Sequence, residues 1–174
     1  DVVMMIFGTG VGAAAMMDGR LIRGKHFQAA CIGGHMVIEA GPDATPCNCG
    51  NIGCMEANAS SWALPLFARK DPLFPQSLLA RVEPIDYKNL KACADALAKK
   101  LLQRSLDCWS ANLCNLIVAY DPEVIVLSGG ISRMGEDLRR PLQEHIDKYA
   151  WTPWGHPQVR LAEKPEASVV LGLH

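Results

Sequence analysis

The chain has 174 residues, 49% of them hydrophobic and 20% charged, with a formal net charge of −1. That length suits one domain with a real core, and the near-neutral balance gives no reason to propose nucleic acid or an anionic membrane as a partner of this segment. Its apolar stretches are strand-length or broken by charge, which excludes a transmembrane helix; the first residues also lack the basic region and cleavage site of a signal peptide.

Asp1–Phe7 reads as a buried strand with no cap or linker ahead of it. Native termini rarely open inside core structure, so the chain is expected to be the C-terminal part of a longer protein. The apolar run Val2–Phe7 ends at Gly8-Thr9-Gly10-Val11-Gly12, and Ala13–Met17 is a second run. Together they predict a hairpin on a glycine-rich turn, and Asp18-Gly19 predicts another tight turn before Arg20–Arg23.

From Gly24 to Ser60 the chain is rich in Gly, Pro, Cys and Asn, with little periodicity. It reads as a loop ordered by metal. Helix is predicted to resume near Glu56 and to run through Trp62 and Leu66. Asp71–Pro84 carries Pro72, Pro75 and Pro84 and holds at best one short helix. Between Tyr87 and Tyr120, Leu90, Cys93, Ala94, Leu97, Leu101, Leu106, Trp109, Leu113, Leu116 and Ile117 recur at helical spacing. That is one long helix, or two, halted by Asp121-Pro122. Val124–Leu127 follows as a short buried strand, then the turn Ser128-Gly129-Gly130 and a helix over Met134–Tyr149. Val159–Ala162 is a last strand, and Ala167–Leu173 begins a final apolar element. Strands alternating with helices after an antiparallel start predict an α/β domain with a mixed sheet.

The sharpest chemical signal is His35 with Cys47, Cys49 and Cys54. Three thiols fall within eight residues, and the imidazole stands twelve positions before the first. Such ligands form a closed tetrahedral set for Zn²⁺. Gly50 and Gly53 let the backbone turn tightly enough for the sulfurs to converge. A closed set leaves no position for a reactive water, so the expected zinc is structural, and such sites contribute about 10–16 kcal/mol in small zinc domains. Seven cysteines in all is an odd number. Cys31, Cys93, Cys108 and Cys114 lie in apolar surroundings, and the last three read as small hydrophobes on helices, so free thiols in a reducing cytoplasm are expected; a disulfide framework is the alternative, which the tight Cys-x-Cys spacing opposes. Glu56, two residues after Cys54, projects from the end of the metal loop and is placed to accept hydrogen bonds from sugar hydroxyls; it is equally a helix first-turn acid.

Two glycine turns remain. Gly8, Gly10 and Gly12 let a ligand approach the backbone N–H groups, and Thr9 adds a hydroxyl, which suits a phosphate. The alternative is a tight hairpin with no ligand. No Lys-Ser/Thr follows, so this is not a P-loop. Ser128-Gly129-Gly130 sits where a strand ends and a helix begins, a place where α/β sheets gather ligands; a helix-entry turn of small residues explains it as well. His26, His145 and His156 read as surface residues, and Trp151 and Trp154 as residues packing a loop.

Taken in order, Gly8-Thr9-Gly10-Val11-Gly12, Gly34-His35, Cys47-Asn-Cys-Gly-Asn-Ile-Gly-Cys-Met-Glu56 and Asp121-Pro-Glu-Val-Ile-Val-Leu-Ser-Gly-Gly130 resemble the ROK family of sugar kinases and sugar-responsive repressors. The resemblance covers essentially the whole chain. It implies an actin-like (ribonuclease H-like) two-lobed fold, of which residues 1–174 are the C-terminal lobe: a mixed sheet, flanking helices and a zinc-bound loop. The missing N-terminal lobe would complete the cleft for ATP and sugar. Gly8, Thr9, Gly10 and Gly12 match the segment near the ATP phosphates, and Gly129 and Gly130 the adenosine end. His35, Cys47, Cys49 and Cys54 match the zinc ligands, with His35 and Glu56 beside the sugar.

The parent implied is an ATP- and Mg²⁺-dependent hexose kinase of the cytoplasm. A sugar-sensing domain of a repressor is the rival, and a zinc-stabilised binding domain without catalysis the third reading. Homodimers are common in the family, although no residue here demonstrates one. Two departures stand out. The family's N-terminal phosphate motif and its catalytic aspartate lie upstream of Asp1, so this segment alone is expected to be inactive. Cys31-Ile32-Gly33-Gly34-His35 also replaces the family's Glu-x-Gly-His, placing Ile32 or Cys31 where an acid would bind the sugar ring. Losing such a partner weakens binding by about 1–3 kcal/mol.

Overall fold

The computed structural model describes residues 1–165, so the apolar element expected at Ala167–Leu173 lies outside the described residues. Among the described residues, five strands form one mixed sheet: β1 (Val2–Phe7), β2 (Val11–Met17), β3 (Arg20–Leu21), β4 (Val124–Ser128) and β5 (Gln158–Leu161), in the order β3-β2-β1-β4-β5. β1 pairs antiparallel with β2, from Val2 opposite Met16 to Phe7 opposite Val11. It pairs parallel with β4, with Ile6 opposite Ser128, and β4 in turn pairs parallel with β5. The glycine turn is therefore only Gly8–Gly10, because Val11 and Gly12 already belong to β2. β1 is not buried on both faces, although it reads as a continuous apolar run: Val3, Met5 and Phe7 are sealed, while Val2, Met4 and Ile6 are partly exposed.

The described residues form five α-helices: α1 (Met55–Ala59), α2 (Leu64–Lys70), α3 (Tyr87–Cys93), α4 (Ala96–Tyr120) and α5 (Glu136–Tyr149); α4 meets β1, α5 meets β5, and α1, α2, α3 and α5 all pack on α4. The long apolar periodicity resolves into two helices, α3 and α4, because Ala94 takes a left-handed conformation and the Asp95 carboxylate caps the Ala98 N–H at 2.9 Å. Ala94 is consequently an exposed cap and no part of the buried face. Asp95 also accepts from the Ser77 hydroxyl and the Leu78 N–H, both at 2.8 Å. These donors, the Ala98 N–H above all, hold its carboxyl below the usual range. The proline-rich stretch forms two short 3₁₀ turns, Phe74–Gln76 and Leu78–Arg81, where one short helix was expected.

The 25 residues of α4 run about 37 Å and anchor the core. Trp109 is fully buried, its ring 5.1 Å from those of both Phe7 and Tyr87, and its indole N–H donates to Ala59 O at 2.7 Å. One tryptophan thereby ties β1, α1, α3 and α4 together. Trp151 and Trp154 differ from their expected role as loop packing. They are 76% and 64% exposed and meet each other edge to face. Cys31 is exposed rather than apolar-packed, whereas Cys108 is buried. No helix among the described residues is long and apolar enough to cross a membrane.

Candidate functional site

The metal loop is a small hairpin held by its own backbone. Pro46 bridges Ile52 and Val37 bridges Cys54, both antiparallel. Cys47 N–H donates to Asn51 O at 2.8 Å and Gly53 N–H to Thr45 O at 2.7 Å. His35 arrives from a 3₁₀ turn, Gly33–His35, that packs on β2 so closely that a Cβ on Gly34 would lie 2.2 Å from Val11 O. The ligand atoms of His35, Cys47, Cys49 and Cys54 all lie within 4.8 Å of one another. His35 Nδ1 is 3.6 Å from Cys47 Sγ, and Cys49 Sγ is 3.7 Å from Cys54 Sγ.

These separations can be tested against a metal. With Zn–S near 2.3 Å and Zn–N near 2.0–2.1 Å, a tetrahedron has S···S edges of about 3.8 Å and N···S edges of about 3.6 Å. The quartet fits a tetrahedral cation. Burial pushes the Cys54 thiol up to about 12 and raises that of Cys47, while a hydrogen bond from the Asn51 backbone lowers that of Cys49. A metal bound by these sulfurs would displace the protons that burial holds on Cys47 and Cys54.

A polar network that sequence reasoning did not find fastens the loop to α4. Glu39 accepts from Thr45 N–H at 2.9 Å and Asn58 Nδ2 at 3.2 Å, and the Thr45 bond chiefly holds its carboxyl below the usual range. Asn58 also donates to Cys54 O at 3.0 Å. Arg104 of α4 donates to the Asn58 side-chain oxygen and lies 4.0 Å above the Phe67 ring. No periodicity or motif marks Asn58, which sits on a helix of only five residues.

The two glycine turns come together because they follow neighbouring parallel strands. Gly8–Gly10 caps β1, and Gly129 caps β4. Gly129 has φ +86°, and a Cβ there would sit 2.2 Å from Phe7 O, so no side chain fits between the two strand ends. Beyond them a cavity of about 400 Å³ opens, with Gly8 and Gly130 on its floor. Ile131 and Met134 form one wall, Tyr87, Lys88 and Lys91 of α3 another, and Arg133 lies at its side. Lys91 reaches across to Asp137 of α5 at 2.5 Å. None of these wall residues was singled out from sequence, since helix spacing alone does not tell which exposed lysines share a cavity.

Of the expected site residues, Thr9 is exposed on the turn, and Gly12 stands inside β2 opposite Ile6. His35 is half-buried in the metal quartet. Glu56 is nearly sealed, 7% exposed, at the first turn of α1. The predicted helix through Glu56, Trp62 and Leu66 is in fact two, α1 and α2. Between them Ser61 and Trp62 direct their N–H groups to Gly8 O and Thr9 O, at 3.4 and 3.2 Å, instead of to the preceding turn.

Comparison with known proteins places the chain. It is 34% identical over 156 residues to a glucokinase of Thermotoga maritima, covering 85% of this chain and 48% of that protein. It is 29% identical over 177 residues to the N-acetylgalactosamine kinase AgaK of a Shewanella species, covering 98% and 55%. Among solved structures, the ROK family glucokinase from Streptomyces griseus in complex with glucose and AMPPNP superposes with a TM-score of 0.80 at 27% identity, over 99% of this chain and 58% of that one. A ROK family transcriptional regulator, homologous to the MLC protein of E. coli, superposes with a TM-score of 0.75 at 28% identity, over 92% and 41%. The chain thus spans about half the length of the curated relatives it matches. The mixed sheet with its flanking helices is an actin-like lobe. The ROK family model matches residues 1–173, and the chain belongs to that family.

Proposed function

We propose that residues 1–174 are the C-terminal lobe of an ATP-dependent hexose kinase that moves the γ-phosphoryl group to a sugar hydroxyl. The observation that carries this reading is the cavity between Gly8 and Gly130, at the carboxyl ends of two parallel strands, where α/β sheets hold nucleotides. The Gly8 N–H bonds Gly10 O and the Val11 N–H bonds Glu56. The Thr9 and Gly10 amides and the Thr9 hydroxyl are therefore the turn's donors to a phosphate, with Gly12 behind them. Gly129 and Gly130 take the adenosine end, against Ile131 and Met134.

His35, Cys47, Cys49 and Cys54 hold a structural Zn²⁺. With Nδ1 facing the metal, His35 keeps Nε2 for a sugar hydroxyl, and Glu56, two residues after Cys54, offers the lone pairs left free by its bonds to Val11 and Trp62 to another. In the transfer, the γ-phosphorus leaves the β–γ bridging oxygen and bonds the sugar oxygen, whose proton passes to a carboxylate base. Mg²⁺ bound with ATP supplies charge neutralisation across the phosphates. By the family resemblance the base lies upstream of Asp1, so this segment alone transfers nothing. Ile32, 51% exposed where the family carries an acid, alters sugar preference. Cytoplasmic location suits the seven free cysteines, and a homodimer, common in the family, is checked by light scattering.

A coupled ADP-release assay on the full-length protein with a panel of hexoses tests the proposal. Turnover with at least one hexose is expected. Silence with every sugar, zinc being intact, would transfer the lobe to a non-catalytic binding reading, of which the sugar-sensing domain of a ROK regulator, a fold this chain also resembles at 28% identity, is one form. Specific DNA binding through an upstream helix-turn-helix would then be the confirming measurement.

A further inference from the structure

Glu56 follows the metal ligand Cys54 by two residues, yet its carboxylate is aimed at the glycine turn. Oε2 accepts the Val11 N–H at 2.7 Å, and Oε1 accepts the Trp62 indole N–H at 3.2 Å. Hydrogen bonds to a carboxylate are about twice as strong as neutral ones, and more so away from water. The turn presses so closely on this group that a Cβ on Gly10 would lie 2.6 Å from Oε2. Just past α1, the Ser61 and Trp62 N–H groups donate to Gly8 O and Thr9 O. The segment from Cys54 to Trp62 therefore begins in the metal quartet and ends gripping residues 8–11. Gly34, the neighbour of His35, packs against Val11 O so closely that a Cβ there would lie 2.2 Å away, so residues adjoining two of the candidate ligands, His35 and Cys54, meet Val11.

From this geometry we infer that Glu56 is a positioning residue that links the metal site to the phosphate turn, so that zinc occupancy and nucleotide affinity are coupled through its bond to the Val11 amide. The inference rests on reading Gly8–Gly10 as the phosphate turn. With zinc bound, the loop fixes Cys54, α1 and the carboxylate, and the Thr9–Gly10 amides are held in one arrangement. Without zinc the carboxylate loses its anchor, and a nucleotide must order the turn itself as it binds. Linkage is reciprocal: whatever factor zinc adds to nucleotide affinity, nucleotide adds to zinc affinity.

The test uses the full-length protein and ADP as probe. ADP affinity is measured by calorimetry in the zinc-loaded and chelated forms, and zinc affinity is measured against a chromogenic chelator with and without ADP. Both ratios are expected to agree, within the roughly 5- to 150-fold range typical of coupled sites. Glu56→Gln keeps the metal ligands but sets an amide against one of the two donors. It should retain full zinc, bind ADP about 5-fold or more weakly, and lose most of the zinc dependence. Gly10→Ala, which crowds the carboxylate from the turn side, should do the same. ADP affinity indifferent to zinc, or a Glu56→Gln protein whose zinc dependence is intact, overturns the inference. If the chelated protein unfolds, the zinc-loaded arms decide, and Glu56→Gln with full zinc and unchanged ADP affinity sinks it. Failure of the zinc-loaded wild type to bind ADP at all sinks the phosphate-turn reading and the coupling with it.

Discussion

Cys49→Ala isolates the metal from the core, because Cys49 is the exposed thiol of the quartet while Cys47 and Cys54 are buried. The substitution removes little buried surface, so any loss of stability reports ligation. The apolar cluster under the loop is small, Cys47, Cys54 and Ala57 with Trp62 packed beside it, and cannot replace the metal. A quarter of the about 10–16 kcal/mol that structural zinc supplies is about 2.5–4 kcal/mol. At about 2–4 °C per kcal/mol for a domain of this size, the melting midpoint falls by roughly 5–16 °C. The assay is thermal unfolding alongside metal analysis of wild type and variant, each with and without a chelator. Wild type plus chelator should fall at least as far as the variant, and chelator should move the variant little. A Cys49→Ala protein that keeps one zinc per chain and melts with wild type would refute the ligand assignment.

Two further outcomes follow from the same geometry. Zinc affinity should rise with pH through the neutral range, since the metal-free quartet holds protons on Cys47 and Cys54 that ligation must release; competition with a chelator at several pH values measures the slope. In the chelated protein the sign reverses for stability. The folded Cys54 thiol is raised from 9.0 to about 12, so its contribution is fully present below pH 9 and lost as pH climbs towards 12, and Cys108, raised to about 11 by burial, acts in the same direction. Rising stability across that interval would contradict the assignment. Trp109→Phe keeps an aromatic ring between Phe7 and Tyr87 but leaves Ala59 O without its donor. Unfolding by denaturant should show a cost of about 2–4 kcal/mol, combining an unsatisfied carbonyl with lost volume; an unchanged midpoint would mean that the indole bond contributes nothing.

What the sequence made legible was whatever is written in local pattern. The Cys47–Cys54 spacing, the continuous apolar run Val2–Phe7 ending in glycines and the 3.6-residue rhythm of Leu97–Ile117 each belong to one stretch of chain. They gave the metal set, the hairpin and the long helix. The errors cluster where a distant group overrides local preference. The residues from Glu56 to Leu66 have helical composition, yet the helix stops at Ser60, whose ψ is 171°. Ser61 and Trp62 leave the helical ladder to reach backbone oxygens more than 50 positions earlier in the chain. Helix propensities differ by only tenths of a kcal/mol per residue, so two backbone bonds and a packed tryptophan outweigh them.

That override also explains why Glu56 was half understood. A carboxylate two residues after the candidate metal ligand Cys54 was visible as an acceptor for a sugar hydroxyl or as a helix first-turn acid, but its bond to Val11 spans 45 residues, and no periodicity records a contact at that range. The same holds for Arg104, which reaches back 46 positions to Asn58. Both long-range bonds start from groups flanking the metal loop and end on the elements that frame the cavity or the core. The chain interrupts a stretch of helical composition with one extended residue, Ser60, and the residues just after it bond the glycine turn. On the coupling proposed above, the break at Ser60 is the joint between the metal loop and the glycine turn, and the Glu56→Gln measurement is the direct test of that joint.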